Sequence, residues 1–126
     1  MPITLSDIAN RTREVSFMFD LGDHKEEVKA VYRPGWYTVE REEALKARSD
    51  ANKDTNDIRA AEERAQRLSE LLISWDVLDA KGKPYPTTYT ALRSIDSTGF
   101  LGELESAIVR DLYPNRQTGE TSAGTS

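Results

Sequence analysis

The clearest pattern in the chain is a change of hydrophobic period. From Glu14 to Asp20, Val15, Phe17 and Phe19 fall on one side and Ser16, Met18 and Asp20 on the other, the two-residue period of a half-buried strand. Leu21-Gly22-Asp23-His24 supplies a turn, with Gly22 free to take positive φ. Alternation resumes from Lys25 to Arg33 and places Val28, Ala30 and Tyr32 on one face. Two such runs around a short Gly-containing loop predict a β-hairpin over residues 14–33. A lone hairpin is marginal in water, so its apolar face needs helices or another chain. Pro34-Gly35 closes the second strand and leaves Trp36 and Tyr37 beside the turn. Residues 1–13 read as an N-terminal arm, in which Ser6 caps a single helical turn.

The period then lengthens. Thr38 is a capping residue with an acid, Glu40, in the first turn that follows, and a helix is expected over about 38–50. A seven-residue spacing runs through Ala44, Ala51, Ile58, Ala65 and Leu72, with a second set at Ala47, Ala61, Leu68 and Trp75. Between Ile58 and Trp75 this makes a heptad seam. Ser49 to Asp57 is dense in residues that prefer caps and turns, so the helix is expected to break there. Asn56 or Asp57 then caps a fresh helix over about 57–77. The seam favours core packing over a dimer interface, and leaves self-association open.

Lys81-Gly82-Lys83-Pro84 is a turn, since Gly stops the preceding element and Pro84 cannot continue it. Thr87 or Thr88 caps a short helix over about 88–95. Ser97 or Thr98 caps a last one over about 98–113, whose apolar face carries Phe100, Leu101, Leu104, Ile108 and Leu112. Residues 116–126 have nothing to bury and read as a disordered tail. The fold class is therefore α+β: one domain over 14–115, an N-terminal hairpin packed on a small bundle of three or more helices.

Composition changes this picture little. With 126 residues, 37% of them hydrophobic and 31% charged, the chain is one domain whose core leaves some segments outside. The net charge of −5 argues against a nucleic-acid surface, which needs clustered Lys and Arg. Having no cysteine, the chain has no disulfide, thiolate nucleophile or sulfur-ligated metal. It contains neither a membrane-spanning apolar run nor a signal-peptide pattern at Met1 to Asp7, so the cytoplasm is the expected compartment.

Candidate chemistry is sparse. His24 is the single histidine, in the hairpin turn beside Asp23, Glu26 and Glu27, and reads as a solvated turn residue; a metal site wants convergent ligands. The acid pairs Glu42-Glu43, Glu62-Glu63 and Glu103 with Glu105 sit near Arg41, Lys46, Arg59, Arg64 and Arg110 and read as i,i+4 surface pairing. No phosphate loop, dinucleotide fingerprint or nucleophile elbow is present. No catalytic residue, cofactor site or metal site is expected. Two aromatic clusters stand out instead, Tyr32, Trp36 and Tyr37 after the hairpin and Trp75, Tyr85 and Tyr89 around the turn, and such residues are enriched where partners meet. Trp75 reads as core. For Trp36 and Tyr37, packing and partner contact are both open.

The order of elements carries a resemblance. A Phe-rich hairpin ends in Tyr32-Arg33-Pro34-Gly35-Trp36-Tyr37-Thr38 and is followed by a charged helix. Next come Leu71-Leu72-Ile73-Ser74-Trp75-Asp76-Val77, a Gly-Lys-Pro turn, a short helix at Leu92, and a last helix from Phe100-Leu101 to Pro114-Asn115. Over about residues 14–115 this resembles the tail assembly chaperones of long-tailed bacteriophages. The resemblance implies a small protein of the host cytoplasm that coats the tape-measure protein, keeps it soluble, helps recruit tail tube protein, and is absent from the finished virion. Such work needs an apolar groove for an amphipathic helix. The candidate partner-binding residues are Trp36 and Tyr37, Leu68, Leu72 and Trp75, and Leu101, Leu104 and Ile108. A structural head–tail connector or minor tail protein, and a small antitoxin-like regulatory binder, are the alternatives.

Overall fold

The computed structural model describes residues 2–51 and 57–114. The expected break between the two long helices and the expected disordered tail fall largely on residues 52–56 and 115–126, outside the described residues. Strands β1 (Arg13–Asp20) and β2 (Lys25–Tyr32) pair antiparallel in the register Arg13↔Tyr32 to Asp20↔Lys25. Gly22 takes a φ of 105° in the turn, which only glycine adopts without strain. The two alternating faces agree: Val15, Val28, Ala30 and Tyr32 are buried, and Phe17 and Phe19 are half-buried. The α+β reading holds, with one addition to the sheet.

That addition is β3 (Leu72–Trp75), which pairs antiparallel with β2 and completes a three-stranded sheet of order β1-β2-β3. The heptad reading carries a helix through these residues to Val77; helix α3 (Asp57–Leu71) instead stops at Leu71. Spacings of three and four fit a helix, but the four residues Leu-Ile-Ser-Trp also suit a strand, and a short apolar run does not distinguish the two. The register slips between Val31 and Tyr32, whose partners are Ser74 and Leu72. Ile73 is the unpaired residue, so Leu72 and Trp75 both turn inward while Ile73 and Ser74 face solvent, as a bulge requires. Backbone bonds from Arg33 N to Leu71 O (2.9 Å) and Asp76 N to Lys29 O (3.1 Å) fix the two ends.

Helix α1 (Leu5–Asn10) is capped by Thr4 and not Ser6: Thr4 Oγ1 accepts from Asp7 N, and the Asp7 carboxylate accepts in turn from Thr4 N. It lies on the turn at Pro34–Trp36, where a Cβ on Gly35 would come within 2.8 Å of Ile8 O and 2.9 Å of Ala9 Cα. Helix α2 (Val39–Ala51) begins at the expected Thr38 cap, whose Oγ1 accepts from Arg41 N at 3.1 Å. Thr88 caps α4 (Tyr89–Leu92) as expected. Asp96, in place of Ser97 or Thr98, caps the π turn Ser97–Leu101, which leads into α5 (Gly102–Leu112). Helix α5 runs along β1, and α3 packs against α4 and the π turn. The core is the inner face of the sheet with Ala65, Leu68, Leu71, Leu92, Phe100, Leu101, Leu104, Ala107 and Ile108. No helix among the described residues is long and apolar enough to cross a membrane.

Candidate functional site: the groove between α2 and α3

Six of the eight candidate residues lie in the closed core. Leu68, Leu104 and Ile108 are 0% exposed, Leu101 1%, Leu72 4% and Trp75 8%. Trp75 Nε1 donates to Tyr85 O at 2.7 Å, and its ring meets Phe100 edge-on at 5.9 Å. A partner reaches none of these six without opening the fold. The structure brings them together as packing, on α3, β3, the π turn and α5, and leaves Trp36 and Tyr37 as the half-buried pair.

Trp36 is set by the tight turn beginning at the buried Pro34. Its Nε1 donates to Glu70 Oε1 at 2.8 Å, the Arg41 guanidinium lies 5.0 Å from its ring centre, and Tyr37 meets it edge-on at 5.0 Å. Hydrogen bonds from Gln66 and then Trp36 hold the Glu70 carboxyl below the ordinary carboxylate range. Tyr37 turns toward the interior, where burial, with Glu105 nearby, pushes its hydroxyl above the ordinary range. That hydroxyl is buried with no hydrogen-bond partner.

Glu105 is the hub behind this pair. Its carboxylate, 15% exposed, accepts from Arg67 Nε and Nη2 at 2.8 and 2.9 Å and from Arg64 Nε at 3.0 Å. Burial opposes the Arg67 charge, but Glu105 outweighs it and its guanidinium titrates above the ordinary range. The expected i,i+4 pairing on a solvated face is therefore corrected for Glu105: its partners are long-range and tie α3 to α5. Glu63 bonds Arg48 across to α2 as well as its i,i+4 neighbour Arg59, and Glu42 accepts from the Tyr113 hydroxyl. His24 remains on the exposed hairpin turn, with Nδ1 2.7 Å from Asp23 and Nε2 3.2 Å from Glu26. Among the described residues no group of three His, Asp or Glu side chains is placed to hold a metal ion.

Helix α2 runs antiparallel to α3, its start tied to Trp36 by Arg41 and its far end tied to Glu63 by Arg48. Between them lies an open groove of about 380 Å³ lined by Trp36, Ala44, Leu45, Gln66, Arg67 and Glu70, among others. None of residues 39–48 of α2 is buried. Helices draw most of their stability from burying an apolar face, and α2 is held to the body here by polar contacts. Of the groove residues, sequence reading singled out Trp36. The heptad set contains Ala44, but nothing in a single sequence marks Leu45, Gln66 or Arg67 as facing the same space.

Comparison of the chain with protein-family models, with curated proteins and with solved structures gives no match.

Proposed function

We propose that this chain is a protein-binding assembly factor, and specifically a phage tail assembly chaperone. It takes an amphipathic helix of the tape-measure protein into the α2–α3 groove. It thereby keeps that protein soluble in the host cytoplasm, helps bring tail tube subunits to it, and leaves before the virion is finished. The phage assignment rests on the resemblance of the element order over residues 14–115. The observation that supports a helix-binding role is α2 itself: a 13-residue helix with no buried residue over 39–48, flanking an open groove that exposes Trp36, Ala44 and Leu45 among charged residues.

The groove suits that task chemically. Trp36, Ala44 and Leu45 offer apolar contact, while Arg41, Arg48, Glu63 and Glu70 place both signs of charge around them. An amphipathic helix binds by inserting its apolar positions and pairing its flanking charges at such a rim. A volume of about 380 Å³ falls within the range of pockets that bind specifically, and accepts a few side chains of an incoming helix.

The test is a titration of the full chain with peptides covering the amphipathic helices of the tape-measure protein from the same genome. Leu45→Asp places a charge on the half-buried groove wall without touching the core, and should weaken binding by roughly tenfold or more. No peptide binding, or binding indifferent to Leu45→Asp, contradicts the groove assignment.

A further inference from the structure

We propose that the cleft adjoining the α2–α3 groove at Trp36 is a carboxylate site formed by Arg33 and Arg41, and that it takes an acidic side chain of the helix bound in the groove. The inference rests on the groove reading and names what the bound helix carries beside its apolar positions. Its starting point is a second open cleft of about 350 Å³, which shares Trp36, Arg41 and Glu70 with the groove, so the two are contiguous. The rest of its lining is Arg33, Ser69, Gly35 and Ala9. Apart from Trp36, its largest apolar group is a methyl, so it offers an aliphatic anchor little to bury against.

Both guanidinium groups are held in place without being neutralised. Arg33 Nη2 donates to Glu70 O at 2.7 Å, at the end of α3. Arg41, in the first turn of α2, donates from Nη1 to Trp36 O at 2.9 Å, with its guanidinium 5.0 Å from the indole centre. A guanidinium has five N–H donors, so a single backbone contact fixes the group and leaves donors for a ligand. Neither arginine joins a salt bridge between described residues, whereas Arg48, Arg64 and Arg67 each do. Glu70 is the carboxylate in the lining, and its two oxygens accept from Trp36 Nε1 and Gln66 Nε2, each at 2.8 Å. It is thereby kept off both guanidinium groups. In a chain of net charge −5, the cleft is a local concentration of positive charge.

Charge complementarity selects the occupant. A guanidinium is planar, weakly hydrated and matched to the two oxygens of a carboxylate. Trp36, Ala44 and Leu45 take apolar side chains in the groove, and the contiguous cleft takes Asp or Glu. A helix that carries Lys or Arg at that place is repelled, which gives the groove a means of choosing among amphipathic helices.

Proton–nitrogen NMR of the full chain tests the site, because each of its two tryptophans gives an indole signal. Trp36 Nε1 lies at the cleft, while Trp75 Nε1 is held inside the fold by Tyr85 O and serves as the reference. The probes are N-acetyl-glutamate methylamide and its glutamine counterpart. The glutamate probe should shift the Trp36 signal saturably and bind on the order of tenfold more tightly than the glutamine probe, with Trp75 unmoved and the effect weakened by salt. Arg33→Gln and Arg41→Gln should each abolish the preference, circular dichroism confirming that each variant folds; if one does not, the other carries the test. In the tape-measure peptide that binds most tightly, replacing the acidic residues beside its apolar positions by their amides should weaken binding on the order of tenfold to wild type and not to Arg33→Gln. A Trp36 signal that moves equally with both probes, or with neither, overturns the carboxylate site, as does a peptide indifferent to the loss of its acids. If no tape-measure peptide binds but the glutamate probe still shifts Trp36, the groove reading falls and the carboxylate site stands.

Discussion

The two tryptophans give opposite predictions, and Trp75→Ala is the sharper. Trp75 is 8% exposed, so nearly all of its surface is removed from water. A tryptophan buries up to about 250 Å², worth about 6 kcal/mol at 25 cal/mol per Å². That figure is an upper bound, because the unfolded chain already hides part of this surface and alanine retains its methyl group. The substitution also leaves Tyr85 O without the indole donor at 2.7 Å and removes the edge-on contact with Phe100 at 5.9 Å. The expected loss is about 4 kcal/mol, within the usual range for deleting a buried aromatic. For a chain of this size that lowers Tm by about 12–20 °C. Trp36→Ala, at a half-buried position, should cost only about 1–2 kcal/mol while removing partner contact. Thermal melts followed by circular dichroism measure both. If Trp75→Ala melts within a few degrees of wild type and loses partner binding instead, Trp75 is a groove anchor and the inward-facing β3 is refuted.

Further predictions follow from particular contacts. Gly35→Ala forces a methyl against the backbone of Ile8 and Ala9; it should cost about 1–3 kcal/mol and speed tryptic cleavage at Arg11 as α1 lifts, whereas unchanged proteolysis would show that α1 does not rest there. Glu105→Ala leaves Arg64 and Arg67 facing each other without their shared carboxylate. Breaking a fully buried pair costs 3–5 kcal/mol, so with partial exposure the expected loss is about 2 kcal/mol by urea denaturation, against less than about 0.5 for an ordinary surface site. Asp111 is held below the ordinary carboxylate range by the Arg13 hydrogen bond first, with Tyr32 adding to it. A carboxyl whose pKa is depressed in the folded state gives stability that is present above its unfolded pKa and lost as pH falls through the folded one. Asp111→Asn should therefore flatten the acid limb of the stability curve below about pH 4, and an unchanged limb would remove Asp111 from that account.

How much of this was legible in the chain can be argued residue by residue. The hairpin was, because Val15, Phe17, Phe19 and Val28, Ala30, Tyr32 follow a period that only a strand satisfies and Gly22 marks the turn. The Thr38 and Thr88 caps were as well, since a hydroxyl before an apolar run has a local mechanism. Strand β3 was hidden because Leu68, Leu72 and Trp75 keep helical spacing across a bulge; tertiary pairing with β2 decides what periodicity leaves ambiguous. The long-range role of Glu105 was equally invisible, because its partners lie 38 and 41 residues away. The candidate site was legible mainly at Trp36. Apolar residues at packing spacing look alike whether they face a core or a partner, and the structure places Leu68, Leu72, Trp75, Leu101, Leu104 and Ile108 in the core. The groove forms instead from the poorly amphipathic α2.

The most direct test of the helix-binding account is co-expression with the tape-measure protein of the same genome, scoring soluble partner and copies bound per partner for wild type and Leu45→Asp. The account predicts several copies of wild type on a tape-measure protein that is otherwise insoluble, and loss of that solubility with Leu45→Asp although the variant folds. An insoluble tape-measure protein beside the wild-type chain, or a Leu45→Asp variant that rescues it equally well, would contradict it.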